Sequence, residues 1–338
     1  MENGELNLIT LAQHFSDEEK AREYIEKLRW PDGPVCPHCG EINNAYRLNP
    51  QDSKKGKHVR PGVWKCGGCR EQFTVTVGTI FEDSHIPLSK WLLAYHLLCA
   101  SKKGMSAHQL HRMLKVTYRS AWFMAHRIRY TMTQEPLSSK LPGIFEIDET
   151  YVGGRLRKSQ TKEGKDANKR NKTKNKASVV SVLQRGGKVQ SRHVERVTAE
   201  NLKPMIESMV AEDAHIMTDS STTLKGALKG RRHDQVNHFE NEYVRYEDGL
   251  CITTNGIEGY FANLKRGING IYHHVGQNHL HRYLSEFDFR YNTRKDTDSN
   301  RTVLALKSTT GKRLMLRDSR GPRANESGTE GTIEDNEL

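Results

Sequence analysis

The chain is predicted to hold an α/β fold built on a mixed β-sheet, preceded by a zinc ribbon and a three-helix region. Three patterns predict it. Runs at 143–154, 177–183, 189–197 and 214–220 read as strands, with a helical run at 198–209 before the last. Two C-x-x-C pairs stand 26 residues apart, Cys36/Cys39 and Cys66/Cys69. Residues 86–133 carry apolar side chains at helical spacing in three successive segments. Three strands in hairpin order, a crossover helix and a further strand give a β-β-β-α-β sheet of mixed direction.

Residues 10–30 read as a helix opened by Ser16-Asp17-Glu18-Glu19, with Ala21, Tyr24, Ile25 and Leu28 on one face. Arg29-Trp30-Pro31-Asp32-Gly33 breaks it, giving an N-terminal helical segment over 1–34. The ribbon follows at 35–82. Each C-x-x-C turn aims two thiolates at one point, and two such turns make a closed tetrahedral site of the kind zinc fills structurally. His38 is expected to point away. Gln72–Val77 is expected as a strand after the second turn. A ribbon binds nucleic acid or protein, or only holds a domain in shape, so its pattern leaves that choice open.

Residues 86–135 form the third unit. Trp91, Leu92, Tyr95, Leu98 and Cys99 mark one helix. Ser106 caps a short second with Leu110, Met113 and Leu114 inward. Val116-Thr117-Tyr118 turns into a third bearing Ala121, Trp122, Ala125, Ile128 and Met132. Two helices across a tight turn predict a helix-turn-helix. There Thr117, Arg119 and Ser120 face base edges, while His126, Arg127 and Arg129 reach phosphates. The competing reading is a plain helical scaffold with solvated arginines.

The sheet domain spans 141–295. In its first strand Phe145, Ile147 and Glu149 face one way, and Glu146, Asp148 and Thr150 the other. Residues 155–176 hold ten Lys/Arg and two acids with almost nothing apolar; a flexible basic loop, with Lys172 and Lys174 at DNA phosphates, is expected. Gly186-Gly187 makes a hairpin turn, and Asp219 ends the fourth strand. Next comes a helix from Thr254 or Asn255, either side chain able to cap it, with Ile257, Phe261 and Leu264 on its apolar face. Asn255, Glu258 and Lys265 share another face, which in isolation reads as a solvated stripe. Residues 296–338 are expected as a polar tail, disordered towards the acidic end.

The 338 residues carry a net charge of +12, which favours a polyanionic partner, nucleic acid above membrane. No apolar run is long enough to span a bilayer, and the first residues lack a signal peptide's basic start and apolar core. Paired cysteines ahead of lone Cys99 and Cys251 indicate metal binding in a reducing compartment rather than disulfides. Asp148 and Asp219 lie on strands that the topology can set side by side, with Glu258 on a helix able to cross them. Three acids without Cys or His suit a hard cation, Mg²⁺ or Mn²⁺. A pair of such ions would activate an attacking oxygen and stabilise a leaving one.

Several motifs together resemble the transposase domain of ISXO-like insertion sequences, related to eukaryotic Merlin elements. They are Asp148-Glu149-Thr150-Tyr151-Val152-Gly153-Gly154, Met217-Thr218-Asp219, Val236-Asn237-His238, Thr254-Asn255-Gly256-Ile257-Glu258, Leu264-Lys265-Arg266-Gly267, Tyr272-His273-His274-Val275, and His281 through Arg294. Arg29–Gly33 with the four cysteines, and Thr117–Trp122, resemble the same family's N-terminal half. The likeness covers about residues 15–295. It implies an RNase H-like DDE core, Asp148 and Asp219 as magnesium ligands, Lys265 and Arg266 at the DNA, and a bacterial, nucleoid-associated location. Asp219 and Asn255 are separated by 35 residues, a DDE-like interval, and either Glu or Asn serves in the family. Glu258 is the stronger ligand because a carboxylate neutralises a cation; Asn255 stays as an active-site neighbour. Phe261 stands where a tryptophan is expected. The implied function is binding terminal repeats in duplex DNA, cutting the ends and joining 3′ hydroxyls to target DNA, as a homo-oligomer on DNA. The alternatives are a catalytically dead DNA-binding regulator and a nuclease of hybrids or junctions; the full acidic set and the N-terminal modules favour the enzyme.

Overall fold

The computed structural model describes residues 17–49, 59–133, 140–153 and 176–316, with positions 9, 10, 13 and 15 upstream. The basic run at 155–175 and the chain beyond 316 lie outside these.

Helix α1, Glu18–Arg29, is capped by Asp17, whose side chain accepts from the Glu19 amide at 2.9 Å. Ala21 and Ile25 turn inward, and Trp30 meets Trp64 and Phe73 edge-on at 6.1 and 5.8 Å. The ribbon pairs β1 (Ala45–Arg47), β2 (Trp64–Cys66) and β3 (Gln72–Phe73) antiparallel. The strand expected over 72–77 stops at Phe73. Beyond it the backbone makes successive turns, with the Val77 and Thr79 amides donating to Thr74 and Thr76. Val75 is still fully buried, so the apolar alternation records burial here rather than extended structure.

Helices α2 (Leu88–Ala100), α3 (Ala107–Leu114) and α4 (Tyr118–Thr131) follow as expected. Ser106 and Thr117 cap α3 and α4 by accepting from the Gln109 and Ser120 amides. Met113, expected inward, is 50% exposed. Glu18 reaches across to accept from the amides of Leu88 and Ser89, so α1 caps α2. Arg29 donates to the carbonyls of Val75 and Val77. One apolar core therefore runs through α1, the ribbon and the three helices. The stretch expected as a polar tail from 296 supplies helix α9, Asp298–Lys307, counted in chain order below; its Ala305 and Leu306 join that core.

The second half is a five-stranded sheet. In chain order it is β4 (Ile144–Val152), β5 (Ala177–Gln184), β6 (Val189–Val194), helix α5 (Ala199–Met209), β7 (His215–Asp219), helix α6 (Thr222–Ala227) and β8 (His233–Val236). The spatial order is β6-β5-β4-β7-β8, antiparallel through β6, β5 and β4 and parallel through β4, β7 and β8. This is the RNase H-like sheet that the motif resemblance implied. Phe145, Ile147, Val180 and Val182 pack on Leu202, Met205, Ile206 and Met209 of α5. The opposite face takes α7 (Asn255–Gly267) and α8 (Gln277–Asn292), through Ile257, Tyr260, Phe261, Leu264, Leu284 and Phe287. Between β8 and α7 lies a hairpin that the sequence reading lacked, β9 (Val244–Glu247) with β10 (Leu250–Thr253). Side chains of α8 clip edge strand β6: Asp288 and Asn292 accept from the Ser191 and Val189 amides.

The two halves are joined by a buried ionic cluster. Arg129 of α4 donates to Glu286 of α8 at 2.6 Å, and Arg290 pairs with the same carboxylate. Tyr272 Oη donates to it at 2.7 Å, and Arg290 also reaches the Leu98 carbonyl of α2. Burial alone would raise the Glu286 pKa; the Arg290 and Arg129 charges outweigh it and hold the group below the carboxylate range. Arg129 was expected at DNA phosphates. It is 2% exposed and serves this junction instead. Replacing Glu286 with Ala leaves two buried cations uncompensated, so thermal and urea unfolding should show a loss of about 3–5 kcal/mol. A loss under about 1 kcal/mol would mean that the cluster does not hold the halves together.

Candidate metal centre and DNA-facing residues

The β4–β7 register sets the centre. Glu146 pairs with Met217, and two steps further the same register sets Asp148 against Asp219. Both side chains then leave the sheet on the side where α7 lies. The carboxylates of Asp148, Glu149 and Asp219 come within 4.8 Å of one another. Asp148 Oδ1 accepts from the Glu149 amide at 2.7 Å, and Asp219 Oδ1 from the Ser221 amide at 3.1 Å. Glu149 Oε2 is buried without a hydrogen-bond partner. Three clustered carboxylates with an orphaned buried oxygen fit a hard divalent cation, the species that would neutralise them.

Burial, then the charges of Asp219, Glu149 and Glu258, push the Asp148 carboxyl up to about 8. Burial and Asp219 also raise Glu149. Glu149 had been placed on the opposite strand face from Asp148, and strict alternation gave no reason to include it. Its carboxylate nevertheless joins the pair, from beyond the stretch of β4 that pairs with β7.

Glu258, on the first turn of α7, is not in that mutual set. Its Oε1 lies 3.0 Å from His238 Nε2 and 3.3 Å from Thr254 Oγ1, and its side chain is 43% exposed. Its charge still reaches Asp148. Asn255 is exposed at the helix start, and Lys265 and Arg266 are exposed two turns on. The α7 amides are not capped by Thr254 or Asn255, as had been expected. Glu146 accepts from the Ile257 amide at 2.9 Å, from a buried position on β4. Arg185 holds Glu146 at 3.1 Å and donates to the carbonyls of Cys251 and Thr253. A β-carbon at Gly256 would lie 2.7 Å from Glu146 Oε2, so a larger residue there would displace the carboxylate from its bond to the Ile257 amide. The sequence signal for this clasp was an acid two residues before Asp148 on the same face, together with a glycine in the helix's first turn.

In the ribbon, Cys36 and Cys69 sulfurs are 3.6 Å apart and those of Cys39 and Cys66 3.7 Å. All four lie within 4.8 Å of one another. Tetrahedral zinc with Zn–S near about 2.3 Å requires S···S near about 3.8 Å, which these cysteines meet. His38 is exposed and outside the cluster, as expected.

Among the expected DNA contacts, Thr117 and Arg119 are exposed at the start of α4, with Tyr118 stacked on His108 at 4.3 Å. Arg127 is buried and donates to the carbonyls of Ile80, Glu82 and Leu314, and His126 is fully buried. Helical periodicity could not separate these inward cations from outward ones. Arg127 is thus a structural cross-link rather than a phosphate contact. Lys172 and Lys174 fall outside the described residues.

An aspartate whose folded pKa is raised is favoured while protonated, and its cost grows as pH climbs from the ordinary value towards about 8. Asp148→Asn should therefore raise the melting temperature of metal-free protein at pH 8.5 and change it little at pH 4. Equal gains at both pH values would show that carboxylate repulsion is not the cause.

Residues 140–292 match the ISXO2-like transposase domain, and residues 16–72 match the transposase zinc-ribbon domain. An uncharacterized protein in transposable element ISH50 of Halobacterium salinarum is 24% identical over 293 residues, covering 82% of this chain and 91% of its own length. No described helix is long and apolar enough to cross a membrane. The chain thus carries a transposase zinc-ribbon domain followed in order by an ISXO2-like transposase domain, whose RNase H-like sheet holds the acidic centre.

Proposed function

We propose that this transposase binds the terminal inverted repeats of an insertion sequence, cuts the DNA at its ends and joins the freed 3′ hydroxyls to target DNA. The observation that carries this reading is the convergence of Asp148 and Asp219 on one face of an RNase H-like sheet, beneath α7. Asp148 and Asp219 would hold Mg²⁺ or Mn²⁺, with Glu258, which pairs with His238, as the third ligand and Asn255 beside it. Glu149, already in the acidic set, is the competing third ligand. The bound cations would supply charge neutralisation and polarise the scissile phosphodiester.

The protein's own groups do the rest. The Glu146–Arg185 clasp fixes the α7 start, so Glu258 approaches from one direction. Lys265 and Arg266, two turns along the helix, face the DNA backbone. His238, hydrogen-bonded to Glu258, sets that carboxylate's orientation. Attack by water breaks the bond between phosphorus and the 3′ oxygen, leaving a 3′ hydroxyl on the element and a 5′ phosphate on the flank; that hydroxyl then attacks a target phosphodiester, forming a new ester as the target strand's own 3′ oxygen leaves and takes up the proton. No covalent enzyme intermediate is needed. Zn²⁺ on Cys36, Cys39, Cys66 and Cys69 holds the ribbon, while Arg119 reads bases and Lys172 and Lys174 contact phosphates. Two copies on paired ends make the working unit.

The test uses duplexes made from the DNA bordering the gene. Asp148→Asn and Asp219→Asn should abolish cleavage, at least about 10³-fold, and leave binding intact or tighter because negative charge near phosphate is removed. Glu258→Gln should do the same and Asn255→Ala less. Retained cleavage in both aspartate variants would remove the two acids from the chemistry, and no cleavage by the unaltered protein would leave the chain a DNA-binding regulator. Loss in Asn255→Ala with activity in Glu258→Gln would move the third ligand to Asn255. Arg119→Ala should relax sequence discrimination, whereas Lys172→Ala with Lys174→Ala should weaken binding to all DNA and flatten its salt dependence.

A further inference from the structure

The segment between β8 and α7 exposes aromatic rings around His238, the residue that pairs with Glu258. Phe239 is 96% exposed, Tyr246 75% and Tyr243 53%, in a fold whose other large rings are mostly buried. Phe239 follows His238 in a short 3₁₀ turn, and His238 Nε2 lies 3.0 Å from Glu258 Oε1. The Tyr243 ring is 5.2 Å from the His238 ring, and the Tyr243 carbonyl accepts from Thr253 Oγ1 at 3.0 Å. The rings are thus anchored, through the backbone and His238, to the residues that start the catalytic helix.

Charge narrows the occupant. Residues 237–249 hold four acids, Glu240, Glu242, Glu247 and Asp248, against Arg245 as their one Lys or Arg. Arg245 is itself taken up by Glu242 and Glu247, at 2.7 and 3.0 Å. This segment has no spare cation for a phosphate; what it offers is ring faces. Phe239 directly follows His238, which holds Glu258, so a strand whose phosphate lies at the carboxylates passes close to this turn. A nucleobase on that strand is brought there by its own sugar–phosphate.

We propose that Phe239, flanked by Tyr243, stacks on an unpaired base next to the scissile phosphate, so that the enzyme engages DNA ends with opened terminal base pairs. The inference rests on the phosphodiester reading of the carboxylate centre. Base–ring stacking tolerates any sequence and does not depend on charge, which suits a segment without a free cation. Opening the duplex has its own cost, smallest where bases are already unpaired.

The experiment measures binding without cleavage, in Ca²⁺, so its result does not depend on whether the centre cuts DNA. The probes are a blunt 30-base-pair duplex and the same duplex ending in four unpaired thymidines, one replaced by 2-aminopurine. Full-length protein should bind the tailed duplex about tenfold more tightly than the blunt one and quench the 2-aminopurine. Phe239→Ala should erase the preference and the quenching while leaving blunt-duplex affinity unchanged, and Phe239→Trp should keep both. Because Phe239 is almost wholly exposed, the substitution removes no packing, and an unchanged melting temperature verifies the fold. A tail preference that survives Phe239→Ala, or its absence from the unaltered protein, overturns the proposal. So does a drop in oligomer mass on Phe239→Ala in sedimentation, which would assign the ring to a second copy. Cleavage surviving Asp148→Asn would strike the underlying reading instead.

Discussion

The parallel pairing of β4 with β7 is the constraint on which the rest of this protein turns. Its register leaves no choice about where Asp148 and Asp219 go: both meet on the face beneath α7. Two carboxylates at that distance, partly withdrawn from water, repel each other, and Glu149 adds a third. The sheet holds this arrangement because its stabilisation lies elsewhere, in the apolar layers against α5 on one side and α7 and α8 on the other. The acidic centre is a local cost carried by a well-packed scaffold, and a divalent cation relieves it.

Two further buried charges give the centre its setting. Glu146 ties the first turn of α7 to β4, so the helix with Asn255, Glu258 and Lys265 cannot slide along the sheet without losing that bond and the Arg185 contact. Glu286 ties α8 to α4 and α2, so the N-terminal helices and the sheet share one buried polar junction. The ribbon lies at the other end of the same continuous N-terminal core.

Much of this was legible in the sequence, and the limits have physical causes. The four cysteines, the strand order and the two aspartates follow from spacing and alternation, which are local and periodic signals. The capping of α3 by Ser106 was equally plain, because a cap is a short-range bond. Long-range polar contacts were not readable. Arg127 and Arg129 look like phosphate contacts in sequence, yet each is buried against partners more than forty residues away. Glu146 looked like another polar strand residue, and its partner amide lies 111 residues on. Beyond Phe73, Val75 kept the inward pattern without being in a strand, since periodicity reports which side chains are buried and not which backbone bonds form. Helix α9 was passed over because its polar surroundings hid a short apolar face made by Ala305 and Leu306.

The central claim is that Asp148 and Asp219 form one cation-binding centre rather than a pair of unrelated acids. Titrating full-length protein with Mn²⁺ at neutral pH, and following the free-ion signal by electron paramagnetic resonance, tests it without DNA or turnover. The account predicts saturable Mn²⁺ binding that is lost in Asp148→Asn and equally in Asp219→Asn, while the zinc content stays unchanged. Undiminished Mn²⁺ binding in either variant would contradict it.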